Sequence, residues 1–181
     1  MDPGFTNKNT KLRFKTILTK NLSKTLIKNI IILKMDHYKY SFNNQYRWFK
    51  KNIQNIDKHN LALFKNEIIG YTCLREKKIL IGRKKSLKIL LFDTCIVKKQ
   101  KRKTGIGREL MNYNNKIIIK SKKLSLLLCK RKLIKFYKKF NWKNLKKSKV
   151  IFADHKQKNL FIMSYNFKKK INGKIFVYLN S

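Results

Sequence analysis

The stretch that decides the fold is residues 93–111, DTCIVKKQKRKTGIGRELM. It begins in an apolar run, 88–97, that is typical of a buried strand, and it ends where apolar residues start to recur at helical spacing. Between the two lie Gly105 and Gly107, in a loop rich in lysine and arginine. Because glycine has no Cβ, a ligand can approach this backbone, and the free N–H groups of a helix that begins at Ile106 attract anions. The loop is predicted to bind a pyrophosphate, with a solvated basic turn as the alternative.

Two familiar phosphate-binding loops do not fit this stretch. A Walker A loop needs a glycine, four further residues and then Gly-Lys-Ser/Thr, and no segment of the chain supplies it. A dinucleotide-binding loop needs a third glycine three residues after the second, where this chain has Leu110. What remains is a strand, a glycine turn and a helix, and Arg102, Lys103 and Arg108 make that turn basic.

Hydrophobic periodicity on either side predicts a mixed α/β fold, with a mostly antiparallel central sheet flanked by helices. Strands are predicted at 12–18, 60–66, 67–75, 88–97, 124–129, 150–153 and 160–167, and helices at 22–35, 46–53, 106–120 and 133–140. One parallel crossover links 88–97 through the third helix to 124–129. Asn21 or Ser23 is the candidate cap of the first helix.

The predicted organisation is one domain over 12–167, preceded by a flexible N-terminus at 1–11 and followed by a β-hairpin extension at 168–181. Asn172–Gly173 favours the tight turn of that hairpin. Its second strand lies in KIFVYL, which has apolar side chains on both faces. We therefore expect this strand to pack on the main sheet or to pair with a second subunit in a homodimer.

The chain of 181 residues carries 47 basic and 8 acidic residues, a formal net charge of +39. Such a surface attracts nucleic acid and other polyanions without sequence preference. The basic residues occur in every segment, however, which leaves open that a compositional bias has covered an ordinary fold with lysine. Charge alone therefore identifies no binding site.

Cysteine and histidine usage predicts no metal site, because the three cysteines lack CxxC spacing and the three histidines are scattered. An odd number of cysteines argues against a disulfide framework and favours a cytoplasmic location. No apolar run is long enough to span a membrane, and no signal peptide is evident.

The glycine turn resembles a known signature. Residues 102–107, RKTGIG, are similar to the Q/R-x-x-G-x-G/A acetyl-CoA motif of the GNAT N-acetyltransferase superfamily. A second stretch, 126–142, LLLCKRKLIKFYKKFNW, resembles the later strand and helix of that family, with Tyr137 and Trp142 at its tyrosine and final aromatic. The resemblance is good over 60–142. In 12–59 and 143–167 only the order of helices and strands is similar.

The resemblance implies that acetyl-CoA is the co-substrate and that a primary amine attacks its thioester directly. The backbone of Cys95, Ile96 and Val97 would pair with the pantetheine arm. Lys130 or Lys132 would meet another phosphate of CoA. The pyrophosphate would be held by the glycine turn, which comprises Arg102, Lys103, Thr104, Gly105, Ile106, Gly107 and Arg108.

Two side chains are candidate catalytic residues. The resemblance implies that Tyr137 donates a proton to the leaving thiolate; the alternative is a core tyrosine. Asp93 is a candidate base because it is an acidic residue in an otherwise apolar strand. Regular alternation puts it on the same face as Cys95 and Val97, and the alternative is a structural, hydrogen-bonded carboxylate.

Three positions depart from the family pattern, since Lys130 stands for an asparagine, Asn141 for a glycine and Ser125 for a carboxylate. Asparagine tolerates the left-handed conformation, so the change at Asn141 is mild.

The acceptor is a protein or small-molecule amine, and the cationic surface favours a peptide amine or an acceptor with negative charge. The alternative function is a basic nucleic-acid- or ribosome-associated protein that uses the same fold without catalysis.

Overall fold

The computed structural model describes residues 11–82, 85–146, 150–152, 160–166 and 174–178. In these ranges the chain forms four α-helices and nine strands. The helices are α1 (Lys24–Met35), α2 (Phe42–Asn52), α3 (Ile106–Lys120) and α4 (Ile134–Lys138). The strands are β1 (Arg13–Leu18), β2 (Lys58–Phe64), β3 (Glu67–Ile81), β4 (Lys85–Val97), β5 (Ser125–Cys129), β6 (Lys143–Leu145), β7 (Val150–Phe152), β8 (Phe161–Tyr165) and β9 (Ile175–Val177).

All nine strands belong to one sheet, whose main order is β1-β2-β3-β4-β5-β8-β6. Neighbours along this order are antiparallel except β4 and β5, which are parallel and joined through α3. The predicted mixed sheet with its parallel crossover is therefore confirmed. A second parallel pair, β7 with β9, was not predicted.

The helices cover the two faces of the sheet. On one face α3 and α4 enclose a cluster that includes Met111, Tyr137 and Trp142. On the other face α1 packs Ile30 and Leu33 against β2, β3 and β4. A glutamine, Gln45, and a lysine of α1 are nevertheless buried beside this second core.

Helix ends follow local capping. The Ser23 side chain accepts a hydrogen bond from the Leu26 N–H at 3.1 Å, so Ser23, one of the two candidate caps, begins α1. Ser41 caps α2 in the same way, and this helix therefore begins at Phe42, four residues before the predicted start. Asn141 has a φ of 63°, which confirms the left-handed conformation expected where the family has glycine.

The C-terminal strand β9 joins the main sheet. It pairs antiparallel with Ile79–Ile81 of β3 and parallel with β7, and it buries Ile175 and Val177. Of the two arrangements expected for this strand, the structure shows packing on the main sheet. The Asn172–Gly173 turn and the residues before Lys11 lie outside the described residues, so the hairpin and the domain limits stay predictions.

Within the described ranges, no helix combines the length and apolar character that crossing a bilayer requires. The same part of the chain holds no group of three or more histidine, cysteine or acidic side chains arranged to bind a metal ion.

Candidate active site

The parallel strands β4 and β5 separate part of the way along the sheet. They pair from Leu90 with Ser125 to Phe92 with Leu127. Beyond Phe92, β4 pairs only with β3 among the described strands, so the edge of 93–97 that faces β5 has no partner strand. A free strand edge can hydrogen-bond to an extended ligand in the manner of an added strand.

A β-bulge lies at the start of this unpaired segment. Thr72 of β3 pairs with Cys95, whereas Leu74 pairs with Phe92. Between these two pairs, two residues of β4 therefore lie opposite a single residue of β3. The extra residue of β4 falls at Asp93 and Thr94, and a bulge of this kind changes the face to which the following side chains point.

The bulge corrects one expectation from the sequence. The Asp93 carboxylate lies 3.4 Å from Arg75 on the face covered by α1 and α2. The Cys95 thiol lies instead 3.9 Å from Met111 of α3, and Val97 packs in the cluster beside α3. The prediction that Asp93 shares a face with Cys95 and Val97 is wrong, because regular alternation does not continue through a bulge.

The glycine turn leads directly into α3. Gly105 has a φ of 88° and precedes the helix, and its carbonyl accepts from the N–H groups of Arg108 and Glu109 at 2.9 and 3.1 Å. The N–H groups of Ile106 and Gly107 come before these bonds in the first turn, where no intrahelical acceptor exists. The positive end of the helix dipole lies at the same point.

The turn is also tied to the end of β4. The Arg102 Nε donates to the Val97 carbonyl at 3.2 Å, and the Thr104 hydroxyl donates to the Lys101 carbonyl at 2.7 Å. Lys103 adopts a left-handed φ of 64°. The predicted turn residues therefore lie together at one end of the unpaired strand edge.

A cleft of about 760 Å³ lies where β4 and β5 separate. It is lined by 91–95 of β4, by 128–130 at the end of β5, by the loop after α1 and by Tyr137 of α4. The structure thus brings Asp93 and Cys95 of the first motif together with Lys130 and Tyr137 of the second.

Tyr137 is both a core residue and a residue that lines the cleft. Its side chain is 7% exposed and packs edge-on against Phe92 and beside Trp142, yet it also lines the cleft. Burial raises the pKa of its hydroxyl, and the neighbouring Cys95 adds to the effect. Among the described residues this hydroxyl has no hydrogen-bond partner. The phenol therefore stays protonated at neutral pH and retains a proton to donate.

Asp93 is the only acidic side chain that lines the cleft in the described part of the chain. Its side chain is 27% exposed, and Arg75 is the partner of its carboxylate. Arg75 is itself buried and also donates to the Asn52 carbonyl at 2.8 Å, which fixes its position. Asp93 is therefore both paired and accessible from the cleft.

Two other candidates have a narrower role. Burial raises the pKa of the Cys95 thiol to about 12, so this side chain is a protonated thiol and not a nucleophile at neutral pH. The buried Ser125 hydroxyl donates to the Leu90 carbonyl at 2.6 Å, which makes it a structural link between β5 and β4. Lys130 and Lys132 are exposed at the rim of the cleft.

Sequence reasoning missed the wall of the cleft that comes from the loop after α1 and from α2. His37, Tyr38 and Trp48 line this wall, and Thr94 completes it from the bulge. Burial raises the pKa of the Tyr38 hydroxyl to about 12, and the charge of Asp93 adds to this effect. Burial and the nearby Arg102 lower the pKa of His37. The only sequence signal was the density of aromatic residues from 38 to 49.

The fold matches that of solved GNAT acetyltransferases. Escherichia coli ElaA superimposes with a TM-score of 0.66 at 15% identity, over 85% of this chain and 99% of that one. YhbS, a GNAT family N-acetyltransferase from Escherichia coli solved with CoA, gives 0.67 at 10% identity over 98% and 92%. Arabidopsis thaliana Naa50, solved with the bisubstrate analogue CoA-Ac-MVNAL, gives 0.59 at 18% identity over 85% and 99%.

No protein-family model matches the sequence, and a search of curated proteins finds no match either. At these identities the similarity to solved structures establishes the fold, and the chain has the GNAT fold.

Proposed function

We propose that this protein is an acetyl-CoA-dependent N-acetyltransferase that acts on a primary amine. The observation that carries the proposal is the unpaired edge of β4, which lines the cleft together with the protonated Tyr137 and ends beside the glycine turn at the start of α3. Two of the solved proteins with the same fold are described with CoA or a CoA-containing analogue, which supports the choice of co-substrate.

The residues present fit a CoA molecule. Alternate residues of a strand direct their backbone groups to opposite edges, so Cys95 and Val97 present theirs to the free edge of β4, where the amide groups of a pantetheine arm would bind. Ile96 lies between them and pairs with Tyr71 of β3. The N–H groups at the start of α3 and the side chain of Arg108 would hold the pyrophosphate. Among the described residues, a Cβ added to Gly107 would come into contact with Val97 alone, at 3.7 Å, so packing in this part of the chain does not require glycine there. That open space fits a close approach by phosphate.

In the proposed reaction the neutral amine nitrogen forms a bond to the acetyl carbon while the carbon–sulfur bond breaks. Tyr137 donates its proton to the departing sulfur, so that the thiol and not the thiolate is released. Asp93 accepts the proton that the amine loses, directly or through a water molecule. The cleft holds the two reactants next to each other, which is the main contribution of a site of this type.

The second candidate is binding of nucleic acid without catalysis, which the net charge of +39 favours. Thermal melting with acetyl-CoA and with a non-specific RNA separates the two. We expect acetyl-CoA to raise the melting temperature at low and at high salt, because the ligand stabilises the native state by mass action. A shift by RNA that disappears at high salt, with none by acetyl-CoA, would favour the second candidate.

A further inference from the structure

A second cavity, of about 490 Å³, adjoins the cleft on the face covered by α1 and α2. We call it the side cavity; it is lined by the bulge residues Asp93 and Thr94 and by six residues of α1, α2 and the loop between them, namely Lys34, Tyr38, Tyr40, Asn44, Gln45 and Trp48. It shares Tyr38, Trp48, Asp93 and Thr94 with the cleft. A molecule in the side cavity would therefore reach the carboxylate that faces the proposed reaction.

A buried cation lines the side cavity. Lys34, in the last turn of α1, is 5% exposed, and its Nζ lies 4.3 Å from the centre of the Trp48 ring. None of the ion pairs between described residues includes Lys34; burial lowers its pKa, and the charge of Asp93, which lies outside ion-pair distance, offsets this only in part. A buried ammonium without a counter-ion is unfavourable, so this position favours an incoming anion.

A buried amide lies on the wall that α2 contributes. Gln45 is 5% exposed and lines the side cavity, and its Nε2 has no hydrogen-bond partner in the described part of the chain. A buried donor of this kind is costly to leave unpaired. An amide that lines a cavity and lacks a protein partner is available to a ligand oxygen.

We propose that the side cavity selects a small amine that also carries an oxyanion, either a carboxylate or a phosphate. Lys34 and Gln45 bind the oxyanion, while the amine of the same molecule lies at Asp93. This inference rests on the acetyltransferase function proposed above and names the class of its acceptor.

Charge distribution supports this class over other amines. A polyamine would bring a second cation towards Lys34, and the net charge of +39 opposes its approach from a distance. An amidated peptide offers neutral carbonyl groups, which leave the charge of Lys34 without compensation. An amine with its own oxyanion satisfies Lys34 and Asp93 together. The rings of Trp48 and of the exposed Tyr40 also line the side cavity.

The test compares pairs of acceptors that differ only in the oxyanion. Phenylalanine is paired with phenethylamine and phosphoethanolamine with ethanolamine, with spermidine and an amidated peptide as further arms. After correction for the unprotonated fraction of each amine, we expect kcat/KM to be about tenfold to a hundredfold higher for the oxyanion-bearing member, the range of one charge-assisted contact. The two pairs distinguish carboxylate from phosphate.

The variant Lys34→Met keeps an unbranched side chain against Trp48 and removes the charge. We expect it to abolish the preference by raising KM for the oxyanion-bearing member alone. Lys28→Met, which removes an exposed charge from the same helix, is the matched control and should retain the preference. Calorimetric titration of the CoA-bound protein with the same pairs supplies a readout that needs no turnover.

Equal kcat/KM and equal binding for the two members of each pair would overturn the inference. A preference that survives Lys34→Met, or faster turnover of spermidine or the amidated peptide, would also overturn it while the acetyltransferase proposal stands. The proposed function itself fails if none of these amines releases CoA and acetyl-CoA also leaves the melting temperature unchanged.

Discussion

His59 Nδ1 lies 2.8 Å from the hydroxyl oxygen of Tyr71, in the core between β2 and β3. Its other ring nitrogen, Nε2, lies 2.9 Å from the Thr19 hydroxyl. A neutral imidazole has one donor and one acceptor nitrogen, so the two hydroxyl groups satisfy both. The ring is fully buried, and burial lowers the pKa of His59 to about 4.

This network predicts that acid destabilises the fold through His59. The folded pKa is below the unfolded value of about 6.5, so the unfolded state binds more protons between these values. The stabilisation of the folded state by the neutral His59 ring is fully present above pH 6.5 and is lost as the pH falls towards 4. Between pH 7 and 4.5 we expect the free energy of unfolding to fall by about 2–3 kcal/mol from this group.

Urea denaturation of the wild type and of His59→Gln at both pH values measures this contribution. The variant costs stability at pH 7 and should lose less on acidification, because it has no imidazole to protonate. The same loss in the two proteins would show that His59 does not carry the acid sensitivity.

Tyr137→Phe tests the proposed general acid. We expect turnover to fall by about tenfold to a thousandfold, with affinity for acetyl-CoA nearly unchanged, because the hydroxyl acts only on the leaving sulfur. The melting temperature should be retained, since this hydroxyl has no hydrogen-bond partner among the described residues. Steady-state kinetics with calorimetry gives both quantities.

Tyr165→Phe is the matched control for that variant. Tyr165 stacks on Trp142 at 5.4 Å in the same aromatic cluster, but it does not line the cleft. We expect its turnover to equal that of the wild type. If Tyr137→Phe is as active as this control, Tyr137 is only a core residue.

Asp93→Asn tests the proposed base. The substitution keeps the size of the side chain and removes the charge that pairs with Arg75. We expect turnover to fall by about a hundredfold or more at neutral pH, as for the loss of one acid–base group, and to recover in part when the pH is raised and more amine is neutral. An unchanged pH–rate profile would assign Asp93 to the structural pair with Arg75 alone.

Local pattern was sufficient for the elements that frame the site. The apolar run that ends at Val97 and the helical spacing from Ile106 gave β4 and α3, because both elements bury a continuous apolar surface of their own. The motif similarity then indicated the fold, which the solved structures confirm. The predicted 67–75 strand extends further, to Ile81, because β4 and β9 pair with its second half.

The remaining features depend on partners that are distant in sequence. The bulge at Asp93 arises from pairing with β3, so its effect on the alternation of β4 is not visible in β4 itself. The short strand β6, Lys143–Leu145, has one apolar residue in three, too few to show a strand pattern, and it pairs with β8. Lys34 lies in α1 and Gln45 in α2. The hydrophobic periodicity of a helix does not indicate that a cavity lies beside it, so the side cavity could not be predicted from the sequence.

The central claim is that the glycine turn at the start of α3 binds acetyl-CoA, and calorimetric titration of wild type and Gly107→Val tests it most directly. Of the side chains that the structure describes, a Cβ at this position would meet Val97 alone, at an ordinary contact distance of 3.7 Å, so we expect the variant to fold. Asn112→Val, at an exposed position of α3, controls for valine in the same helix.

We predict that the wild type and Asn112→Val bind one acetyl-CoA per chain at physiological salt, with a Kd on the low micromolar order or tighter, about −7 to −8 kcal/mol. Gly107→Val should keep its melting temperature and lose this binding, because the branched side chain would occupy the space proposed for the pyrophosphate. Equal binding by wild type and Gly107→Val, or no binding by the wild type, would contradict the account.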